Sequence, residues 1–260
     1  MTFSAAQNSA KITTNCAIVI PSFNEFLALP RLLEQLSSEL NETDVVIICD
    51  DTEASKKNLI IEASREALKN SNASLVFSMA ARKTGRGGAV RRGMELAIKE
   101  YSDLEIIIEC DADGSHRPID IMKLKKYSRH TDLLIGSRYL PESRIVGWPI
   151  SRRLFSWILN VIIPRVLKIP LTDITNGLRR YSLSAVNAIL LAPAQNAGFI
   201  YLSEQAILIS KSNLVIEEIP TVFINRTEGK STVGWKEIIG SLLGVFKLLV
   251  KQNRNVANRE

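Results

Sequence analysis

The sequence predicts a doubly wound α/β domain on a mostly parallel sheet, and two observations carry that prediction. Short apolar runs rich in β-branched residues recur at positions 17–20, 45–49, 75–77, 106–108 and 133–135. They lack the apolar–polar alternation of a half-solvated strand, so each is expected to be buried on both faces. Helical spacing fills the gaps between the runs, and such strand–helix alternation closes into a parallel sheet covered by helices.

Taken in order, residues 1–15 form a polar tail without an apolar core, which argues against a signal peptide. The first run leads into Pro21-Ser22-Phe23-Asn24-Glu25. Leu29, Leu32, Leu33 and Leu36 then follow the i, i+3, i+4, i+7 spacing of an amphipathic helix, with Pro30 suited to its first turn. The second run ends in Asp50-Asp51. After the third run, residues 82–92 hold five basic groups and three glycines but no acid, and Val90, Met94 and Ile98 repeat every four residues. The fourth run ends in Asp111-Ala112-Asp113 and the fifth near Arg138.

The second half is less regular. Residues 145–170 are apolar, broken by Arg152, Arg153, Arg165 and Lys168. Residues 173–181 predict a loop then a strand, 183–191 and 203–209 predict helices, and 215–224 an extended segment interrupted by Pro220. In 235–251, Lys236, Gly240, Gly244, Lys247 and Lys251 share one helical face, and Ile238, Leu242, Phe246 and Leu249 the other. The chain thus divides into a tail, a main domain over 16–232, and an amphipathic helix with its own tail over 233–260.

Composition narrows the function classes. A charged fraction of 23% beside 46% apolar residues describes a globular chain, not a disordered one. The net charge of +6 suits a phosphorylated ligand, nucleic acid or an anionic membrane surface. The basic segments lack interleaved aromatics, and acids gather where a ligand is expected, which argues against a nucleic-acid module. Cys16, Cys49 and Cys110 lie in or beside apolar runs without metal-site spacing, and are expected as buried thiols. No stretch reaches the roughly 20 apolar residues of a membrane span, so the expectation is a protein that is soluble or lies on a membrane.

The strand ends carry the chemistry. Ligands of doubly wound sheets bind at the carboxyl ends of the strands, and here three such ends bear acids. Clustered carboxylates repel unless something cationic sits between them. Asp111 and Asp113, just after a buried strand, suit a hard divalent cation that also meets substrate phosphates, and Ser115 offers a further oxygen. Residues 82–92 have two readings, a loop and helix start near phosphates or a solvated basic face. Their glycine spacing does not match a dinucleotide fingerprint. Gly229-Lys230-Ser231-Thr232 imitates the end of a P-loop but lacks the required glycine at Ile224. His116 and His130 are the two histidines, too few for a histidine-rich metal site, and His116 is expected as a local loop residue. Glu204 is either a general base or a helix carboxylate satisfied by a basic neighbour, with the second preferred.

Six strings occur in order: PSFNE at 21–25, DD at 50–51, DADGSH at 111–116, GSRY at 136–139, DITNGLRRY at 173–181 and INRTEGKS at 224–231. Together they resemble family 2 glycosyltransferases of the GT-A fold, most closely dolichol- or polyprenol-phosphate mannosyltransferases, over roughly residues 16–250. The resemblance implies a Rossmann-like sheet and a set of roles. Pro21, Phe23, Glu25 and Asp51 would line the base and ribose pocket, and Asp111, Ala112 and Asp113 would meet the donor. Asp111, Asp113 and Ser115 would hold Mg²⁺ or Mn²⁺ on the diphosphate. Arg138 and Arg226 would contact phosphates, with Asp113 and Arg226 carrying the catalysis. Residues 145–170 would form an interfacial segment guiding the lipid.

The resemblance has two departures. Thr232 stands where the family carries lysine, and Lys230 is expected to replace it against the donor. The strings RGGAVRRGM at 86–94 and DADG are closer to dolichyl-phosphate glucosyltransferases. The resemblance as a whole favours GDP-mannose as donor, and these two strings make UDP-glucose the alternative. The resemblance implies inversion and a polyprenyl or dolichyl phosphate acceptor. That acceptor is already anionic at neutral pH and needs no general base. A sugar-hydroxyl acceptor, with Glu204 or another acid as base, is the alternative. The expected setting is the cytosolic face of a membrane, touched peripherally, with a membrane-anchoring partner subunit as a further possibility and no nucleic acid.

Overall fold

The computed structural model describes residues 14–167, 169–193 and 200–226. The expected features at Lys230, Thr232 and 235–251, and most of the polar tail, lie outside the described residues.

The first apolar run becomes strand β1 (Cys16–Ser22), followed by helix α1 (Ala28–Ser37), β2 (Asp44–Asp50), a short 3₁₀ turn, α2 (Lys57–Ala67), β3 (Ser74–Met79) and α3 (Gly85–Glu100). Then come β4 (Ile106–Glu109), α4 (Pro118–Lys125), β5 (Leu133–Ser137), β6 (Arg144–Val146) and α5 (Ile150–Leu167). The chain continues through β7 (Arg179–Ser182), α6 (Leu183–Leu191), α7 (Ile200–Ser210), β8 (Ile216–Pro220) and β9 (Val222–Ile224).

Seven strands form one sheet in the order β3-β2-β1-β4-β7-β5-β8. All its pairs are parallel except those of β7, which runs antiparallel between β4 and β5. The sequence-based expectation of a doubly wound, mostly parallel sheet therefore holds. Side chains along each strand alternate between faces. Ala17, Val19, Val45 and Ile47 pack with Val90, Met94 and Ala97 of α3 and Val186 of α6. Ile18, Ile20, Val46 and Ile48 pack with Leu29, Leu32, Leu33 and Leu36 of α1 and with Ile121 of α4. Burying one such side chain contributes about 1.5–3 kcal/mol, so these two layers dominate the stability of the sheet.

The extended segment around Pro220 divides into two strands in different sheets. β8 joins the edge of the large sheet beside β5, whereas β9 pairs parallel with β6 in a separate two-stranded ribbon. The residue between them, Thr221, donates its N–H to Ser137 O at 3.0 Å. This change of sheet steers the chain across the carboxyl ends of the large sheet. α5 runs on through Pro164. Among the described residues no helix is long and apolar enough to cross a membrane.

Candidate active site

β1 and β4 are neighbours, and the chain proceeds from β1 to β2 and β3 on one side but from β4 to β5 on the other. A crevice opens beyond the carboxyl ends of such a strand pair. Its two walls begin with Phe23-Asn24-Glu25 after β1 and Asp111-Ala112-Asp113 after β4.

Asn24 turns the first wall through a left-handed backbone (φ 60°), a conformation that asparagine tolerates better than most residues. Its N–H donates to Thr52 Oγ1 at 2.8 Å. Thr52 in turn donates from its N–H and hydroxyl to the buried Asp50 carboxylate at 2.8 and 3.0 Å. Pro21 and Phe23 are half-buried beside this turn, and Lys83 Nζ lies 3.9 Å from the centre of the Phe23 ring. Asp51 is turned to α3. It accepts the N–H groups of Thr84 and Gly85 at 2.6 and 3.0 Å and Arg92 Nη2 at 2.8 Å, capping that helix from a distant strand. With Asp51 only 3% exposed, its oxygens serve the start of α3 beside the pocket.

The second wall is a tight turn. Gly114 adopts φ +74°, and Ser115 N donates to Asp113 Oδ1 at 3.0 Å. Ala112 and Ser115 are buried. His116 is more than a local loop residue. Fully buried, it accepts the Asp111 N–H on Nδ1 at 3.0 Å, which leaves Nε2 to donate to Asn176 Oδ1 at 3.1 Å. The ring is thus a neutral strut that fixes the backbone of Asp111.

Beneath Asp111 lies Arg86 of α3. Its Nε and Nη2 donate to Asp111 Oδ1 at 2.9 and 2.6 Å, and Nη1 bonds Glu109 Oε1. Of the two readings of 82–92, neither describes Arg86, Arg91 and Arg92. Arg86 points inward, Arg92 pairs with Asp51, and Arg91 caps the carbonyls of Ile189 and Ala192 at the end of α6.

β9 brings the opposite cation. Ile224 N donates to Ser115 O at 3.1 Å and Asn225 N to Val146 O at 2.9 Å. These bonds carry Arg226 to Asp113, with Nη2 3.1 Å from Oδ2. Arg138 sits deeper. Asp173 grips its Nε and Nη2 at 2.7 and 2.8 Å, and the rings of Trp148 and Phe223 lie 5.3 and 5.4 Å from its guanidinium. Arg152, near the start of α5, stacks 4.1 Å from the Trp148 ring.

Charge follows this geometry. Burial would raise the Asp111 carboxyl, but the charge and hydrogen bonds of Arg86 hold it down at about 2. Glu25 is pushed up from the ordinary carboxylate range by burial and then by the Asp113 charge, partly offset by Arg226. Arg152 is pulled below the ordinary guanidinium value by burial and by the positive charges of Arg138 and Arg226. The crevice therefore has an acidic half that favours a cation and a basic half that favours an anion. Two hard carboxylate ligands match Mg²⁺ or Mn²⁺. Among the described residues no three His, Cys, Asp or Glu side chains are grouped closely enough to hold a metal by themselves.

The structure thus brings Glu25, Asp111, Asp113 and Arg226 together, with Arg138 behind them. The residues that sequence reasoning missed are supports. The string 173–181 contains three: Asp173 holds Arg138, Asn176 holds His116, and Arg179 staples the loop by donating to the carbonyls of Asn176, Ile174 and Leu202 at 2.9, 2.7 and 2.8 Å. Its chemistry was visible as a motif, but its partners were not.

A family model described as "Glycosyl transferase family 2" matches residues 17–190. The undecaprenyl-phosphate mannosyltransferase of Micrococcus luteus is 32% identical over 214 residues, covering 82% of this chain and 85% of that protein. The polyprenol monophosphomannose synthase of Mycolicibacterium smegmatis is 26% identical over 228 residues, covering 87% and 83%. The backbone resembles that of glucosyl-3-phosphoglycerate synthase from Mycobacterium tuberculosis in complex with Mn²⁺, UDP and glucosyl-3-phosphoglycerate. The TM-score is 0.60 at 15% identity, over 89% of this chain and 80% of that one. The same enzyme in complex with Mg²⁺ and UDP gives 0.60 at 16%, over 89% and 79%. At such identity the likeness speaks for the fold, and it agrees with the GT-A expectation.

Proposed function

The chain belongs to glycosyl transferase family 2, and on that premise we propose that it transfers a hexose, mannose in preference to glucose, from a nucleotide sugar to a polyprenyl phosphate. The reaction is metal-dependent and inverts the anomeric carbon. The observation that carries this reading is the Asp113–Arg226 pair, with the charges of Glu25 and Asp111 near its acid and those of Arg138 and Arg152 near its base. The kinship with two proteins named for polyprenyl phosphate acceptors supports the acceptor class.

Each residue then has a task. Pro21, Phe23 and Glu25 border the nucleoside, with Asp51 fixing the start of α3 beside it. Asp111 and Asp113, aided by Ser115, would hold Mg²⁺ or Mn²⁺, and that ion would supply positive charge against the departing nucleoside diphosphate. Arg226 leaves Asp113 for a phosphate oxygen, where its planar fork gives two directed hydrogen bonds. Arg152 attracts the acceptor phosphate, which relieves its repulsion from Arg138 and Arg226. A phosphate monoester has a second pKa of about 6 and attacks as an anion, so no side chain need remove a proton.

α5 provides the approach for a lipid. Ile150, Leu154, Trp157 and Ile158 are exposed at 83, 56, 51 and 36%. Their spacing places them on one face, flanked by the exposed Arg153 and Arg165. An apolar helical face with basic flanks lies in an anionic interface without spanning it.

The deciding experiment incubates purified protein with labelled GDP-mannose or UDP-glucose, polyprenyl phosphate and Mn²⁺, with and without EDTA. Label from GDP-mannose should pass into the organic phase and become EDTA-sensitive. Arg152→Ala should raise KM for the lipid while leaving KM for the donor. Failure of both donors to label the lipid would overturn the proposal.

A further inference from the structure

β4 ends in Glu109, and a second carboxylate, Asp111, follows just beyond the strand. Glu109 and Asp111 are two residues apart, and side chains of an extended chain return to the same face with that period. Glu109 is fully buried, and its second oxygen accepts from the Tyr181 hydroxyl at 2.8 Å. Two carboxylates so placed repel unless a cation lies between them. Arg86 supplies that cation. Its Nη1 bonds Glu109 Oε1 and the Tyr201 hydroxyl, while Nε and Nη2 both fall on Asp111 Oδ1. The backbone makes room for it at Gly177, whose carbonyl accepts from Nη2 at 3.4 Å. A Cβ on Gly177 would overlap Nη2.

We infer that Arg86 is a positioning residue for the donor's cation and diphosphate, acting through Asp111. The inference rests on the metal-dependent transfer proposed above. By occupying Oδ1 with two donors, Arg86 fixes the rotation of the Asp111 carboxylate and leaves Oδ2 for a ligand. It also neutralises one of the two charges at the strand end, so the bound cation meets Asp111 as an oriented single anion. Lysine carries the same charge but lacks the planar fork that reaches both acids.

The test uses the full chain. Mn²⁺ binding is read from the electron paramagnetic resonance of free Mn²⁺ in the presence of GDP, for wild type, Arg86→Lys, Gly177→Ala and Arg91→Lys. Circular dichroism and thermal melting establish folding. Arg86→Lys and Gly177→Ala should each weaken Mn²⁺ binding by about tenfold or more, as loss of a group orienting a metal ligand does. They should lower kcat while KM for polyprenyl phosphate stays near wild type. Arg91→Lys, on the same helix but bonded to the end of α6, should bind Mn²⁺ like wild type. Should Arg86→Lys fail to fold, Gly177→Ala decides, because it keeps the guanidinium and displaces it. A folded Arg86→Lys or Gly177→Ala protein with wild-type Mn²⁺ affinity overturns the inference. So does an equal loss in Arg91→Lys, which would trace the effect to helix packing. Wild-type protein that transfers sugar but binds no Mn²⁺ overturns the metal reading instead, and this inference with it.

Discussion

Arg226 Nη2 lies 3.1 Å from Asp113 Oδ2, so a cation delivered by β9 already rests on a carboxylate of the turn after β4. The two side chains are 18 and 11% exposed, so solvent reaches the pair only over a small part of its surface. Under the proposed function this pair keeps two charges of opposite sign in place for two ligands of opposite sign, a divalent cation for Asp113 and a phosphate for Arg226.

Asp113→Ala should therefore lower kcat/KM by about 10²-fold or more, the scale seen when a group stabilising transition-state charge is removed. The variant should also lose the extra thermal stability that donor and Mn²⁺ together give the wild type, since a ligand stabilises only a fold that binds it. Steady-state kinetics and melting curves check both. Near-normal turnover in a folded variant would remove Asp113 from the mechanism.

Asp173 and Arg138 pose a different question, one of stability. The carboxylate is fully buried and accepts from Arg138 Nε, Nη2 and N as well as from Thr175 N and Asn176 N. Removing one partner leaves a buried charge uncompensated. Asp173→Ala should cost about 3–5 kcal/mol in urea unfolding. A loss within about 0.5 kcal/mol, the range of ordinary surface substitutions, would show that the pair contributes little.

These pairs also show what the sequence could and could not reveal. Strands β1 to β5 were legible because unalternated apolar runs have few other uses, and α1 because its four leucines keep helical spacing. The acidic edge was legible because strand ends in such sheets face ligands. The cation that clustered acids require was anticipated as a metal, and the structure also places arginines among them. Those partners join positions far apart in the chain: Arg86 with Asp111 at a separation of 25, Arg138 with Asp173 at 35, and His116 with Asn176 at 60. No local spacing encodes such pairs. Nor does an apolar run encode direction, so the antiparallel placement of β7 was invisible. Pro220 marked a break in the extended segment but not the change of sheet that brings Arg226 to Asp113.

Glu25 gives a pH prediction. Burial and then the Asp113 charge raise its carboxyl above the ordinary value. Between the unfolded pKa, about 4.3, and the raised folded value, the folded protein binds more protons than the unfolded chain. Unfolding free energy therefore falls as pH rises through that window. Glu25→Gln removes the penalty. Without ligands the variant should gain stability over wild type at pH 7 and show a smaller gain, or none, at pH 4. Equal differences at both pH values, measured by urea unfolding, would contradict the assignment. Activity should fall as well, because the proposed function places Glu25 against the nucleoside.

The last prediction concerns α5. Ile150, Leu154, Trp157 and Ile158 leave large apolar surfaces in water on a single helical face. Contiguous apolar surface flanked by basic groups marks an interaction site more often than an accident of packing. Each large apolar side chain that enters the interface contributes about 1.5–3 kcal/mol when fully buried, and each basic group near an anionic surface adds about 1 kcal/mol. The apolar term should thus dominate and resist salt, while the Arg153 and Arg165 contribution should fade as ionic strength rises. Leu154→Glu combined with Trp157→Glu should lower co-sedimentation with phosphatidylglycerol vesicles by at least about tenfold, since reversing two insertions exceeds the 1.4 kcal/mol that a factor of ten represents. Because both side chains are more than half exposed, the fold and turnover on a short-chain, water-soluble polyprenyl phosphate should be preserved. Turnover on a long-chain acceptor presented in vesicles should drop with the binding. If the double variant sediments and turns over the vesicle-borne acceptor like wild type, α5 does not meet the membrane. Wild type that fails to sediment at low and high salt alike would likewise refute the membrane contact of α5.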